Sequence, residues 1–169
     1  MKIETKRSFY SRTLFAVAIA VVVTCLNGAA YSAGLKVEKN ILLDTPGGVT
    51  IAGDVYIPQG KGPFPGVVFF HGGGFVGGSK DDAAIVSYVG KVAEKGYVVF
   101  NANYRLLLEN GLFPNNVKDA KCALSWFRSN ATRYGVDPKR IGAMGESAGA
   151  YLAAMLAVRV PVAALTGGH

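Results

Sequence analysis

Cysteine and histidine are scarce in this chain. Two of each occur in 169 residues, Cys25 and Cys122, His71 and His169. Cys25 sits in an apolar leader expected to be removed, so Cys122 has no internal partner and the fold must rest on its core. Two distant histidines and no Cys/His cluster provide no metal-ligand spacing, and no nucleotide fingerprint is present; neither metal nor organic cofactor is expected. The formal charge is +7, yet Lys2, Lys6, Arg7, Arg12 and Glu4 carry +3 of it, and the remaining +4 is spread without a basic stripe. Nucleic acid is therefore not an expected partner. Internal repeats and low-complexity tracts are also lacking. After position 147 there is no Asp or Glu, and the last residue, His169, is the sole later histidine.

What is present begins with a positive start and the run Leu14–Val23, followed by small residues around Gly28-Ala29-Ala30 and Ser32. This is the three-part plan of a secretory signal. Residues 1–32 are expected to be a signal peptide, cleaved after Ala30 or Ser32. An uncleaved signal anchor is the alternative, because no charge occurs from Phe15 to Ala33. An exported protein, periplasmic or extracellular, is expected, with no membrane contact beyond this segment. Residues 33–169 then form one domain.

Within that domain, 36–43 and 49–57 alternate as two strands joined at Pro46-Gly47-Gly48. Gly66-Val67-Val68-Phe69-Phe70 is a short apolar run of the kind buried on both faces, and Tyr97–Ala102 is the next strand. Asp81-Asp82 is expected to start a helix that keeps Ile85, Tyr88, Val89 and Val92 on one face and ends at Gly96. Val117, Ala120, Leu124, Phe127 and Ala131 mark a second helix, and a strand is expected at 140–144. Strands alternating with helices imply an α/β fold with a mostly parallel sheet and flanking helices. Reactive groups then belong at the carboxyl ends of the strands.

Two glycine-rich segments stand there. Gly145-Glu146-Ser147-Ala148-Gly149 joins a strand to the helix-forming run Ala150–Leu156, the setting that exposes a serine at a sharp turn. His71-Gly72-Gly73-Gly74-Phe75 follows the strand at 66–70 and offers unshielded N–H groups to developing negative charge. A phosphate loop is the competing reading of Gly73 to Gly78, but Ser79-Lys80 reverses the order that mechanism needs. His71 reads as a brace for the loop, Glu146 as a brace for the turn, and Cys122 as a buried, inert helix thiol.

Together HGGGF and GESAG resemble the α/β-hydrolase fold, in the esterase and lipase branch similar to hormone-sensitive lipase. Asn103-Tyr104-Arg105-Leu106, Phe113-Pro114 with Val117, Asp119-Ala120, and Asp137-Pro138 with Arg140-Ile141 extend the likeness over roughly residues 36 to 158. The resemblance implies a serine carboxylic-ester hydrolase. Ser147 would be the nucleophile, and the N–H groups of Gly73, Gly74 and Ala148 the oxyanion hole. The substrate would be a small-molecule or polysaccharide-linked ester, of the short-acyl or plant-polymer kind. An amide- or peptide-cleaving serine hydrolase and a truncated, non-catalytic binding or assembly protein remain as alternatives. In this fold an acid and then a histidine follow the serine. The sequence is thus expected to be the N-terminal part of such a domain, truncated after the helix that follows the serine. Its strand at 140–144 would form an uncovered edge.

Overall fold

The computed structural model describes residues 34–158; the leader, Cys25 and His169 lie outside them. Strands β1 (Lys36–Thr45) and β2 (Val49–Ile57) pair as an antiparallel hairpin. Their turn places Gly47 and Gly48 at φ 98° and 74°, backbone that favours glycine, and Gly48 N–H donates to Thr45 O at 3.1 Å. There follow β3 (Phe64–Phe70), α1 (Ala83–Glu94), β4 (Val98–Ala102), a 3₁₀ turn (Leu107–Glu109) and α2 (Asn115–Ser129). A second 3₁₀ turn (Thr132–Tyr134) leads to β5 (Val136–Gly145) and α3 (Ala148–Ala157).

The five strands lie in the order β1-β2-β4-β3-β5. β3 runs parallel to both β4 and β5, whereas β2 meets β4 antiparallel. Every residue of β4 is buried, polar Asn101 included, as in a strand covered on both sides. Alternation then sorts the side chains. Phe69, Val99 and Tyr56 pack with Ile85, Val89 and Ala93 of α1 on one face. Val68, Phe70, Val98 and Phe100 join Val117, Ala120 and Phe127 of α2 and Leu152 of α3 on the other. The result is a mixed sheet with a parallel centre between helical layers, the expected α/β class.

Several boundaries differ from expectation, each for a local reason. β5 starts at Val136, four residues early, because Phe64 pairs with Val136 and donates its N–H to Gly135 O at 2.8 Å. Pro138 is tolerated inside it because β5, among the described residues, stands at the end of the sheet, where a ladder donor is dispensable. Asp81 and Asp82 precede α1 and do not enter it. Asp82 Oδ2 accepts the N–H of Ser79 at 3.0 Å and makes no side-chain cap. Ala131 lies beyond the end of α2, buried in the turn that leads to β5. Among the described residues no helix is long and apolar enough to cross a membrane.

Candidate active site

The turn between β5 and α3 is built by steric exclusion. A Cβ on Gly145 would lie 2.2 Å from the carbonyl carbon of Gly149, and one on Gly149 would lie 2.0 Å from Phe70 O. Glycine at both positions lets the first turn of α3 rest directly on the end of β3. Glu146 N–H donates to Phe70 O at 3.2 Å and Gly149 N–H to Glu146 O at 2.8 Å. Ser147, between them, is exposed and held at φ 49°, ψ −113°. A non-glycine residue in that region costs of order 1–3 kcal/mol and persists only where its surroundings enforce it. Gly149→Ala is expected to destabilise the fold by about 1–3 kcal/mol, the usual cost of overpacking. Chemical denaturation of the full-length protein would measure it.

The glycine loop opens from the neighbouring strand. Gly73 has φ 118°, and a Cβ there would strike Gly77 O at 2.1 Å. Val76 N–H and Gly77 N–H both donate to Gly73 O at 3.1 Å, closing a tight turn, and Gly74 follows at φ 61°. The loop and the serine turn meet. A Cβ built on Gly72 would sit 3.5 Å from Ser147 Cβ and 3.2 Å from Glu146 O. Elements more than seventy residues apart therefore share one rim of the sheet. Ala148, buried, is the first residue of α3.

His71 lies beneath the loop, 1% exposed, with Nδ1 2.7 Å from Gly72 O. A carbonyl only accepts, so Nδ1 carries the proton. Burial holds its pKa below the ordinary 6.5, against smaller opposing effects of the Gly72 hydrogen bond and of Asp82 and Glu146. The folded protein keeps this ring neutral where the unfolded chain would protonate it. That bias costs nothing above pH 6.5 and grows as pH falls below it toward the depressed folded value. Thermal unfolding is thus expected at lower temperature at pH 5 than at pH 7.5, with a shallower dependence in His71→Gln.

Tyr104 stacks on His71 with centroids 4.5 Å apart and donates its hydroxyl to His71 O at 2.9 Å. Burial pushes this phenol up to about 12, so it remains a donor across the working range. The next residue fixes it in place. Arg105 forks onto Asp119 through Nε at 2.8 Å and a terminal guanidinium nitrogen at 2.7 Å, and its own N–H reaches the same carboxylate at 3.0 Å. Phe75 packs edge-on against Tyr104 and Tyr151, and its carbonyl accepts Leu107 N–H at 2.7 Å.

His71 is therefore a brace, as its sequence position suggests. Glu146 is exposed, and its bracing runs through its backbone, not its carboxylate. Cys122 is half-buried rather than buried; Sγ lies 3.4 Å from Asp44 O on β1, and burial raises its pKa, which keeps it a thiol. Sequence pattern alone gives Tyr151 no role and Lys80 only that of a phosphate ligand. A groove of about 380 Å³, lined by Phe69, Ala84, Ile85, Tyr88, Gly145 and Glu146, flanks the turn.

Comparison with known proteins gives a consistent picture. The sequence profile named BD-FAE matches residues 53–167. Arylacetamide deacetylase of Bos taurus is 38% identical over 125 residues, 71% of this chain and 31% of that protein. Carboxylesterase NlhH of Mycobacterium tuberculosis is 36% identical over 100 residues, 59% of this chain and 31% of that protein. The solved esterase of Pyrobaculum calidifontis superposes with a TM-score of 0.62 at 39% identity, over 70% of this chain and 38% of that one. The chain thus spans about a third of the length of the curated relatives it matches.

Proposed function

The chain belongs to the BD-FAE family of hydrolases, within the α/β-hydrolase carboxylesterases, and from that membership we propose that Ser147 is the nucleophile of an exported carboxylic-ester hydrolase. Its hydroxyl oxygen attacks the ester carbonyl while a general base takes the proton. The carbonyl oxygen, now negative, accepts the N–H groups of Gly73, Gly74 and Ala148. The start of α3 adds the positive end of its dipole at the same point. Collapse of this intermediate expels the alcohol, which regains the proton, and leaves an acyl-serine. Water then repeats the sequence and releases the acid. Each oxyanion donor is worth about 10²–10³ in rate.

The observation that supports the reading is the close approach of the glycine loop to the serine turn, where a Cβ on Gly72 would fall 3.5 Å from Ser147 Cβ. The base is not His71, which is buried, neutral and bonded to its own loop. The reading assigns base and orienting acid to later segments of the full-length protein, in the chain order of this fold. A small-molecule or polysaccharide-linked ester, of the short-acyl or plant-polymer kind, is the substrate class proposed. An amide is the second reading, favoured by the name of the bovine relative; elbow and oxyanion donors serve both carbonyls.

Treatment of the full-length protein with a fluorophosphonate tests the proposal. The expected result is one adduct, on Ser147, and loss of ester turnover in proportion to labelling. Turnover that survives complete labelling would refute it. A panel of matched p-nitrophenyl esters and anilides then assigns the scissile bond. A stable, unlabelled protein that instead retains a partner would favour a binding or assembly role.

A further inference from the structure

The far end of the glycine loop is closed by a buried cation. Lys80 is 1% exposed, with Nζ 3.0 Å from Asp54 Oδ1, 2.9 and 3.0 Å from the two Asp81 oxygens, and 3.0 Å from Asn40 Oδ1. Its backbone is tied as well. Lys80 N–H donates to Asn103 Oδ1 at 2.7 Å, and Lys80 O accepts Asn101 Nδ2 at 2.9 Å. Asp81 apart, these partners come from β1, β2, β4 and the residue after β4. One loop residue is thus fastened to three strands.

Two features show that the sheet is shaped around this lysine. Asn40 sits at an irregularity of β1 between Glu38 and Ile41, at φ 56°, outside ordinary strand backbone. That turn aims its N–H at Asp54 Oδ1, 2.8 Å away, while its side-chain oxygen faces Lys80. Irregularities of this kind re-aim side chains and are frequent beside active sites. Asp54 is wholly buried and its Oδ2 has no hydrogen bond, so Lys80 carries the neutralisation of that carboxylate. A buried ion pair is weak evidence of stabilisation, because desolvation offsets the attraction. Positional control is the better account of it.

Between His71 and Lys80 the loop is held by its own turn at Gly73, by His71 Nδ1 against Gly72 O and by the Phe75 ring against Tyr104 and Tyr151. The bond from Leu107 N–H to Phe75 O and that from Ser79 N–H to Asp82 Oδ2 hold it as well. Lys80 is what ties its far end to the strands. The loop's run of glycines carries the largest backbone freedom of any residue type. Oxyanion donors are effective only when fixed before the charge appears.

We infer that Lys80 is a positioning residue, whose cage of Asn40, Asp54, Asp81, Asn101 and Asn103 fixes the Gly73 and Gly74 amides for the transition state. The inference rests on the oxyanion role proposed above. Its test is Lys80→Met in the full-length enzyme, with kcat, KM and the affinity of an alkyl boronic acid, whose tetrahedral adduct mimics the intermediate. Expected is a fall in kcat of about 10²-fold, the effect of losing one donor. Boronate affinity should fall in parallel, while KM changes less than about threefold, as for an interaction made only in the transition state. Asp54→Asn with Lys80→Met removes both charges and should recover melting temperature without recovering kcat. Wild-type kcat and boronate affinity in either variant would overturn the inference. Recovery of kcat together with stability in the double variant would do the same, as would failure of both to fold, since each makes the cage a folding element. A wild-type enzyme whose Ser147 resists fluorophosphonate would sink the underlying reading instead.

Discussion

Ser147→Ala in the full-length enzyme is expected to lower kcat toward a p-nitrophenyl ester by about 10⁶-fold, the scale seen when a triad nucleophile is removed. KM should change little, because the hydroxyl acts on the reacting carbon and adds little to ground-state binding. A residual acceleration of about 10³–10⁴ over water should survive, supplied by the oxyanion donors and binding. The contrast with Lys80→Met is informative. One variant removes the proposed attacking atom and the other loosens the amides proposed to receive the charge, so the second is expected to remain far more active. Steady-state kinetics on both, with fluorophosphonate labelling of the Lys80 variant, separates the two roles. A Ser147→Ala enzyme within tenfold of wild type would exclude the proposed chemistry.

Asp119→Ala should produce the largest loss of stability of any single change considered. Asp119 is wholly buried, and its carboxylate takes three hydrogen bonds from Arg105, which is itself buried. Removing it strands a guanidinium whose charged form the carboxylate favours most. Breaking a buried pair from one side costs about 3–5 kcal/mol. At roughly 2–4 °C per kcal/mol for a domain of 150–250 residues, the melting temperature should fall by about 10 °C. Arg105→Met combined with Asp119→Leu should recover much of that loss, because no lone charge then remains. Differential scanning calorimetry of the three proteins would decide it. An Asp119→Ala protein that melts within 2 °C of wild type would mean that Arg105 reaches water. Activity should suffer too, since Arg105 fixes Tyr104, and Tyr104 supports His71 beneath the glycine loop.

Much of this was legible residue by residue. The apolar run Gly66–Phe70 reads as a covered strand, which it is, and Gly47-Gly48 reads as the turn of a hairpin. Gly145 and Gly149 around Ser147 announced a junction that no side chain could share. The limits were equally physical. Val136 and Pro138 look like loop until Phe64 and Gly135 supply a ladder and the sheet's end removes the need for a donor. Asp82 looks like a helix residue until its carboxylate turns back to Ser79. Lys80, read from its neighbours, looks like a failed phosphate ligand. Its burial depends on Asn40, Asp54, Asn101 and Asn103, which lie between 21 and 40 residues away.

By itself the chain's sequence determined most of the elements, their periodicities, the places where only glycine fits, and the residues proposed for acyl transfer. Those are short-range matters, settled by backbone sterics and by which side chains shun water. Tertiary structure alone decided that β2 lies against β4, that the glycine loop comes up beside the Ser147 turn, and that a lysine beyond the glycines is enclosed by three strands. Strand partners and the burial of charge are fixed by register across the whole sheet, and no local window of sequence contains that information.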